Sequence, residues 1–188
     1  IIDFSHPNNL NDILTYALAN QTKLVIATTG YSQEQLDQIK EASKEIAIFQ
    51  SYNTSFGVQM VTKMLRQFAK EFYDAGYDIE ILEKHHNQKK DAPSGTAITL
   101  AEDLIKEVDR KERWSLEVEE KQTDLPIHCI REGEVPGIHE IIYESEADII
   151  SIKHDAKSRV GFALGAVLAA EFTNGKKGFL GMGDMLKF

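Results

Sequence analysis

The densest run of chemically able side chains is Glu83-Lys84-His85-His86-Asn87-Gln88-Lys89-Lys90-Asp91-Ala92-Pro93-Ser94-Gly95-Thr96-Ala97. Two imidazoles can move protons near neutral pH, and Lys89 and Lys90 add positive charge. Ser94-Gly95-Thr96 stands where an apolar strand pattern gives way to a helical one. A helix start exposes unpaired N–H groups at the positive end of its dipole and so favours an anion. Gly95 lets a ligand approach the backbone, and Thr96 offers a hydroxyl. Together these residues suit a small carboxylate-bearing substrate and a proton transfer. The same types also admit plainer readings: adjacent histidines in a loop are often solvated, and Ser-Gly-Thr is often only a cap. A metal site on His85, His86 and Asp91 is the rival chemistry. The histidines lack the i, i+4 spacing of H-E-x-x-H, and the lysines repel a cation, so no metal is expected.

Three other junctions carry polar residues. Ala27-Thr28-Thr29-Gly30 follows an apolar run, at the carboxyl edge where doubly wound sheets bind ligands. Asn53-Thr54-Ser55-Phe56-Gly57 follows the next such run and either contacts the same ligand or caps a helix. Lys153-His154-Asp155-Ala156-Lys157-Ser158-Arg159 opens a helix, and Arg159 can pair bidentately with a carboxylate; alone, this stretch reads as a solvated helix start. His6, His128 and His139 have no sequence neighbours to work with and read as solvated or core residues. Trp114 and Cys129 read as packing residues, and Glu117-Val118-Glu119-Glu120 as a solvated face.

The elements that must position these residues follow from periodicity. Residues 1–4, 24–27 and 46–49 are short apolar runs, each reading as a buried strand. Between them, Leu10, Ile13, Leu14, Ala17 and Leu18 fall at helical spacing, and Ser32-Gln33-Glu34-Gln35 fits a capping box that opens a helix to about residue 45. Strands and helices alternating in this way predict parallel βαβ units. A long helix is expected over 56–75, with Val58, Val61, Leu65, Phe68 and Phe72 on one face and Gly76 as its stop. A strand at 77–82 and a polar loop to Pro93 follow. Ser94 then caps a helix striped by Leu100, Leu104, Ile105 and Val108. Runs at 127–130, 140–143 and 149–153 read as antiparallel strands exposed on one face, and 158–172 as a last helix; the tail 178–188 has no clear pattern. The fold class is α/β: a partial, Rossmann-like doubly wound parallel sheet plus an α+β substrate domain with a mixed or antiparallel sheet.

Composition narrows the function. The 188 residues are 42% hydrophobic, enough for one large or two small domains with a core that needs no disulfide or metal staple. Lys+Arg 21 against Asp+Glu 30 gives a net charge of −9, which argues against nucleic-acid binding. A single cysteine excludes an internal disulfide framework and fits a reducing compartment. No apolar run reaches the ~18 residues of a membrane span, and no signal peptide pattern opens the sequence. A soluble, cytoplasmic protein is expected. Opening inside a strand pattern without Met, the chain reads as a fragment.

The string EKHHNQKKDAPSGTA closely resembles that of the 4-hydroxy-tetrahydrodipicolinate reductase (dihydrodipicolinate reductase) family, and the resemblance extends over essentially the whole chain. Asp3-Phe4-Ser5 looks like the family's D-F-T/S strand end, Ala27-Thr28-Thr29-Gly30 its G-T-T-G turn, and residues 51–57 its hinge-side loop. Ser158-Arg159 with Phe162-Ala163-x-Gly165-Ala166 resembles its C-terminal helix. The resemblance implies reduction of a cyclic imine-type dicarboxylate to tetrahydrodipicolinate by NADH or NADPH, in lysine and diaminopimelate biosynthesis. Carried over, His85 is the catalytic acid/base and Lys89 a second proton donor. His86, Ser94, Gly95, Thr96 and Arg159 bind the substrate. Ala27, Thr28, Thr29, Ser51, Tyr52, Asn53 and Thr54 line the cofactor. The family's members are typically homotetramers joined through their substrate-domain sheets. Residues 1–54 and 160–188 are then the remainder of a dinucleotide-binding domain, and 55–159 a substrate-binding and tetramerisation domain, with hinges near Thr54 and Arg159. Departures are Ala27 in place of the usual glycine, Ser51-Tyr52 where small residues are common, and the absence of a G-x-G-x-x-G. Lacking that loop, this chain alone is expected to bind dinucleotide poorly. A non-catalytic dicarboxylate-binding or oligomerisation fragment is the alternative function, and a metallohydrolase a distant third.

Overall fold

A computed structural model describes residues 1–116 and 123–187; the acidic stretch Glu117-Val118-Glu119-Glu120 lies outside the described residues. In chain order the elements are β1 (Ile2–Asp3), α1 (Leu10–Ala19), β2 (Leu24–Ile26), α2 (Gln33–Ala42), β3 (Ala47–Gln50), α3 (Phe56–Asp74), β4 (Asp78–His85) and α4 (Gly95–Glu107). They continue with β5 (Arg113–Ser115), β6 (Asp124–Arg131), β7 (Ile138–Glu144), β8 (Ile149–Asp155), α5 (Val160–Phe172), β9 (Gly178–Leu180) and α6 (Met182–Leu186). The chain forms two compact units, Ile1–Gln59 with Val160–Phe188, and Met60–Arg159.

The first unit is a parallel sheet in the order β1-β2-β3-β9. Its strands read as unbroken apolar runs because both faces are covered. Leu24 and Ile26 of β2 pack with Leu10 and Leu14 of α1 and Ile39 of α2, while Val25 points the other way, to Ala166 and Ala169 of α5 and Met182 of α6. The expected capping box opens α2: Ser32 Oγ accepts from the Gln35 N–H, and the Ser32 N–H donates to Gln35 Oε1. This helix stops at Ala42, short of residue 45, where the Ser43 hydroxyl donates to the Lys40 carbonyl and turns the chain toward β3. The tail without a clear pattern supplies β9, a short edge strand, and α6.

The second unit is a mixed five-stranded sheet in the order β5-β6-β4-β7-β8. β7 and β8 run antiparallel, as expected, and β4 pairs antiparallel with β7. β6 does not: it is parallel to both β4 and β5. The cause is α4, which carries the chain back after β4 as a crossover, so the next long strand enters in the same direction. One face of the sheet is apolar: Ile79, Ile81, Leu125, Ile127, Ile141 and Tyr143 pack with Leu65 and Ala69 of α3 and Leu100 and Leu104 of α4. The opposite face is open, with Ile130 and Ile149 exposed.

Candidate functional site

β4 is longer than its sequence pattern suggested. It ends at His85 rather than residue 82, so His85 lies on a strand and not in a loop. Successive side chains alternate between faces, and the buried set is Ile79, Ile81, Glu83, His85. The face is apolar through Ile81 and turns polar at the strand's carboxyl end. Register brings partners from both sides: Cys129 and Arg131 of β6 lie opposite Glu83 and His85, and His139 of β7 lies opposite Glu83.

Glu83 is 0% exposed. Its Oε2 lies 2.5 Å from His85 Nδ1, and its Oε1 accepts from Arg131 Nη2 at 2.7 Å. Burial opposes the charge on Glu83, but His85, Arg131 and Cys129 outweigh it and hold the carboxyl down to about 2. The Cys129 thiol is pushed up to about 12, by burial first and then by Glu83. The His85 and His139 rings meet edge to face, centroids 5.1 Å apart. His139 Nε2 is 3.0 Å from Ser94 Oγ, and that oxygen accepts the Ala97 N–H as the cap of α4. Burial, aided by the His85, His154 and Lys89 charges, lowers the His139 pKa to about 3 against the opposing pull of Glu83.

Arg131 also donates to the Asp91 carbonyl at 2.6 Å, tying the 86–93 loop to the strand pair. Within that loop, Lys89 Nζ pairs with both Asp91 carboxylate oxygens at 2.9 and 2.8 Å. Burial works against the Asp91 charge, yet Lys89 holds its carboxyl below the usual range. Ser94, Gly95 and Thr96 form the start of α4 as expected. His86 is half-buried just beyond β4. His85, His86, Lys89, Ser94, Gly95 and Thr96 are thus gathered around one strand end and one helix start. Arg159 is exposed and, among the described residues, makes none of this cluster's contacts.

The Glu83, His85 and His139 ligand atoms lie within 4.8 Å of one another, near enough for three bonds to one metal ion. Arg131 already sits on that carboxylate, and Lys89 has taken Asp91. A fixed guanidinium beside the cluster suits a proton-handling network better than a cation site. The sequence reading gave Glu83 and Arg131 no role of their own and read His139 as solvated or core; the structure buries it in the core, beside His85. The available signal was the two-residue alternation Ile79, Ile81, Glu83, His85.

In the first unit the carboxyl edge of the parallel sheet carries the other candidates. Asp3, buried at the end of β1, accepts the Thr28 hydroxyl at 2.7 Å, the Ser5 hydroxyl at 2.6 Å and the Ser5 N–H at 3.0 Å. Burial resists its charge, but these donors prevail and its pKa is lowered. Thr28 is thereby fixed beside Ala27, whose N–H donates to the Asp3 carbonyl. The Ser51 N–H donates to Ile26, so residues 51–54 leave from the same edge. Ser51 Oγ donates to the Asn53 carbonyl, and Thr54 Oγ1 to Phe162. Thr29 and Tyr52 are exposed there. Backbone fixed at a parallel-sheet carboxyl edge, with exposed polar side chains, fits a nicotinamide-bearing ligand.

Two buried groups, His139 and Glu83, contribute most to the acid sensitivity of the second unit, and His154, also lowered from 6.5 by burial, adds to it in the same direction. His139 falls from its ordinary 6.5 to about 3, and Glu83 from 4.5 to about 2, so both bind fewer protons folded than unfolded. Their contribution to stability is complete above about pH 6.5 and is lost as pH falls, His139 first and Glu83 below about 4.5. The wild-type thermal midpoint should therefore drop between pH 6.5 and 5, and His139→Gln should flatten that part of the curve. Equal slopes for the two proteins would refute the assignment.

Residues 1–54 match the family model described as "Dihydrodipicolinate reductase, N-terminus", and residues 57–186 match "Dihydrodipicolinate reductase, C-terminus". The chain is 45% identical to the 4-hydroxy-tetrahydrodipicolinate reductase of Clostridium novyi, over 100% of this chain and 76% of that protein. It is 41% identical to the one from Clostridium tetani, over 99% of this chain and 74% of the relative. A solved structure, dipicolinate-bound dihydrodipicolinate reductase from Paenisporosarcina sp. TG-14, is similar with a TM-score of 0.78 and 26% identity, covering 97% of this chain and 71% of that one. With both halves matched, and with such identity across most of the relatives' length, the chain belongs to the dihydrodipicolinate reductase family.

Proposed function

We propose that this chain reduces 4-hydroxy-tetrahydrodipicolinate, a cyclic dicarboxylate, to tetrahydrodipicolinate at the expense of NADH or NADPH, a step of lysine and diaminopimelate biosynthesis. The observation that carries this reading is His85 at the buried end of β4, backed by Glu83 and set beside the N-terminus of α4 and the Lys89 loop. A reduced nicotinamide, when bound along Ala27, Thr28, Thr29 and residues 51–54, supplies the hydride. His85 delivers the proton that the reduced ring then needs, with Lys89 as second donor. Ser94, Gly95 and Thr96 receive one carboxylate at the N-terminus of α4, the positive end of its dipole. His86 and Arg159 bind the rest of the dianion. The dipicolinate in the similar solved structure is a flat dicarboxylate of the same kind and supports this substrate class. The relatives matched over the whole chain are named reductases, which favours catalysis over a non-catalytic dicarboxylate-binding fragment.

Under this reading residues 1–54 and 160–188 serve the dinucleotide, and 55–159 serve substrate binding and assembly, with closure about hinges near Thr54 and Arg159. The open sheet face, with Leu82 and Ile142 beside the exposed Ile130 and Ile149, is the surface through which a homotetramer would form. The cytoplasm is the proposed location; among the described residues no helix is long and apolar enough to cross a membrane. The test is a coupled assay with 4-hydroxy-tetrahydrodipicolinate and each nicotinamide. Substrate-dependent oxidation of one of them, inhibited competitively by pyridine-2,6-dicarboxylate, is expected. Dicarboxylate binding with no turnover on either cofactor would favour the non-catalytic reading instead.

A further inference from the structure

Glu83 carries out no step of the chemistry above, yet it is a fully buried carboxylate two residues before His85 on the same strand face. The charged and titratable groups around the pair come from every neighbouring element. Arg131 and Cys129 face it from β6 and His139 from β7, while Lys89 of the 86–93 loop and His154 of β8 act on His139. An ionised carboxylate only accepts hydrogen bonds. Glu83 Oε2 and His85 Nδ1 are both buried with no other hydrogen-bond partner among the described residues, and they lie 2.5 Å apart though not aligned as a hydrogen bond. A bare Nδ1 lone pair that close to the carboxylate would be repelled, so the proton of the neutral His85 ring belongs on Nδ1. Arg131 claims the other oxygen, Oε1, and keeps the carboxylate from turning away. On the far side, a Cβ at Gly137 would lie 3.1 Å from His85 Nε2, so a glycine there leaves the ring in place.

We propose that Glu83 is a positioning residue for His85: with Arg131 as its anchor it holds one ring proton on Nδ1, so that the imidazolium gives up only its Nε2 proton to the substrate and is left neutral with Nδ1–H. The kinetic consequence rests on the reductase reading; the tautomer does not. In Glu83→Gln, Arg131 still claims the side-chain oxygen, which turns the amide NH2 toward His85 Nδ1. A donor facing that atom moves the neutral ring's proton to Nε2, the wrong nitrogen for the reaction.

The experiment is 15N spectroscopy of the ligand-free enzyme, with the His85 signals assigned by their loss in His85→Gln, beside steady-state kinetics. The neutral ring is expected to carry its proton on Nδ1 in the wild type and on Nε2 in Glu83→Gln. The variant's kcat should fall on the order of 10²-fold, the lower part of what a positioned proton donor contributes, with the dicarboxylate KM nearly unchanged. A wild-type neutral ring protonated on Nε2 overturns the proposal whether or not the variant folds. So does a Glu83→Gln enzyme with normal kcat. A wild type that carries the Nδ1 proton but reduces nothing would instead overturn the reductase reading and leave Glu83 as the group that orients His85.

Discussion

Replacing His85 by glutamine is expected to lower kcat by about 10²–10⁴-fold, the loss typical of a positioned acid, while dicarboxylate affinity changes little. The argument is geometric. Under the proposed function, one substrate carboxylate is met by the α4 N-terminus, and glutamine leaves that helix start in place. What it removes is a ring whose Nδ1 lies against a buried carboxylate and whose Nε2 is proposed to serve the substrate. Glutamine is close in size and can still contact Glu83, so packing at the end of β4 survives. Titration with pyridine-2,6-dicarboxylate beside steady-state turnover separates the two effects. Unchanged turnover would remove His85 from the chemistry, and an equal loss in affinity and turnover would make it a binding residue.

The sequence made some of this arrangement legible and hid the rest for identifiable reasons. Local signals were reliable: the Ser32–Gln35 box, the unbroken Leu24-Val25-Ile26 run and the Ser94 cap all appear as read. The candidate string from Glu83 to Ala97 could be found because its residues are consecutive. Its supporting groups could not, because they meet only through register. His139 and Arg131 reach His85 and Glu83 across strands whose pairing no local pattern encodes. The direction of β6 depends on α4 acting as a crossover, a property of chain path rather than of residues 127–130. Glu83 is the sharpest case. A glutamate alternating with isoleucines reads as a solvent position, since periodicity says which residues share a face and not which face is covered. The buried carboxylate becomes tolerable only once Arg131, Cys129 and His85 surround it.

Gly165→Ala is expected to destabilise the first unit by about 3 kcal/mol or more, the upper part of the range for overpacking. A Cβ at this position would fall 1.7 Å from the Thr54 carbonyl oxygen and 2.7 Å from its carbon. Those are backbone atoms and cannot rotate aside, so α5 or the 51–54 segment must move. The helix-propensity gain of alanine over glycine, at most ~1 kcal/mol, cannot offset this. Gly161, in the first turn of the same helix, is the matched control. A Cβ there meets only Ser55 Oγ at 3.8 Å, an ordinary contact, so Gly161→Ala should be neutral or slightly stabilising. The close approach also has a functional consequence. Thr54 donates to the Phe162 carbonyl at 2.7 Å, so the helix start is fastened to the segment proposed to line the nicotinamide. If Gly165→Ala still folds, the displaced 51–54 segment should raise the KM for NADH or NADPH more than that for the dicarboxylate. Urea unfolding of both variants reads the stability difference directly. Midpoints for Gly165→Ala and Gly161→Ala that coincide with the wild type would mean that α5 does not rest on Thr54.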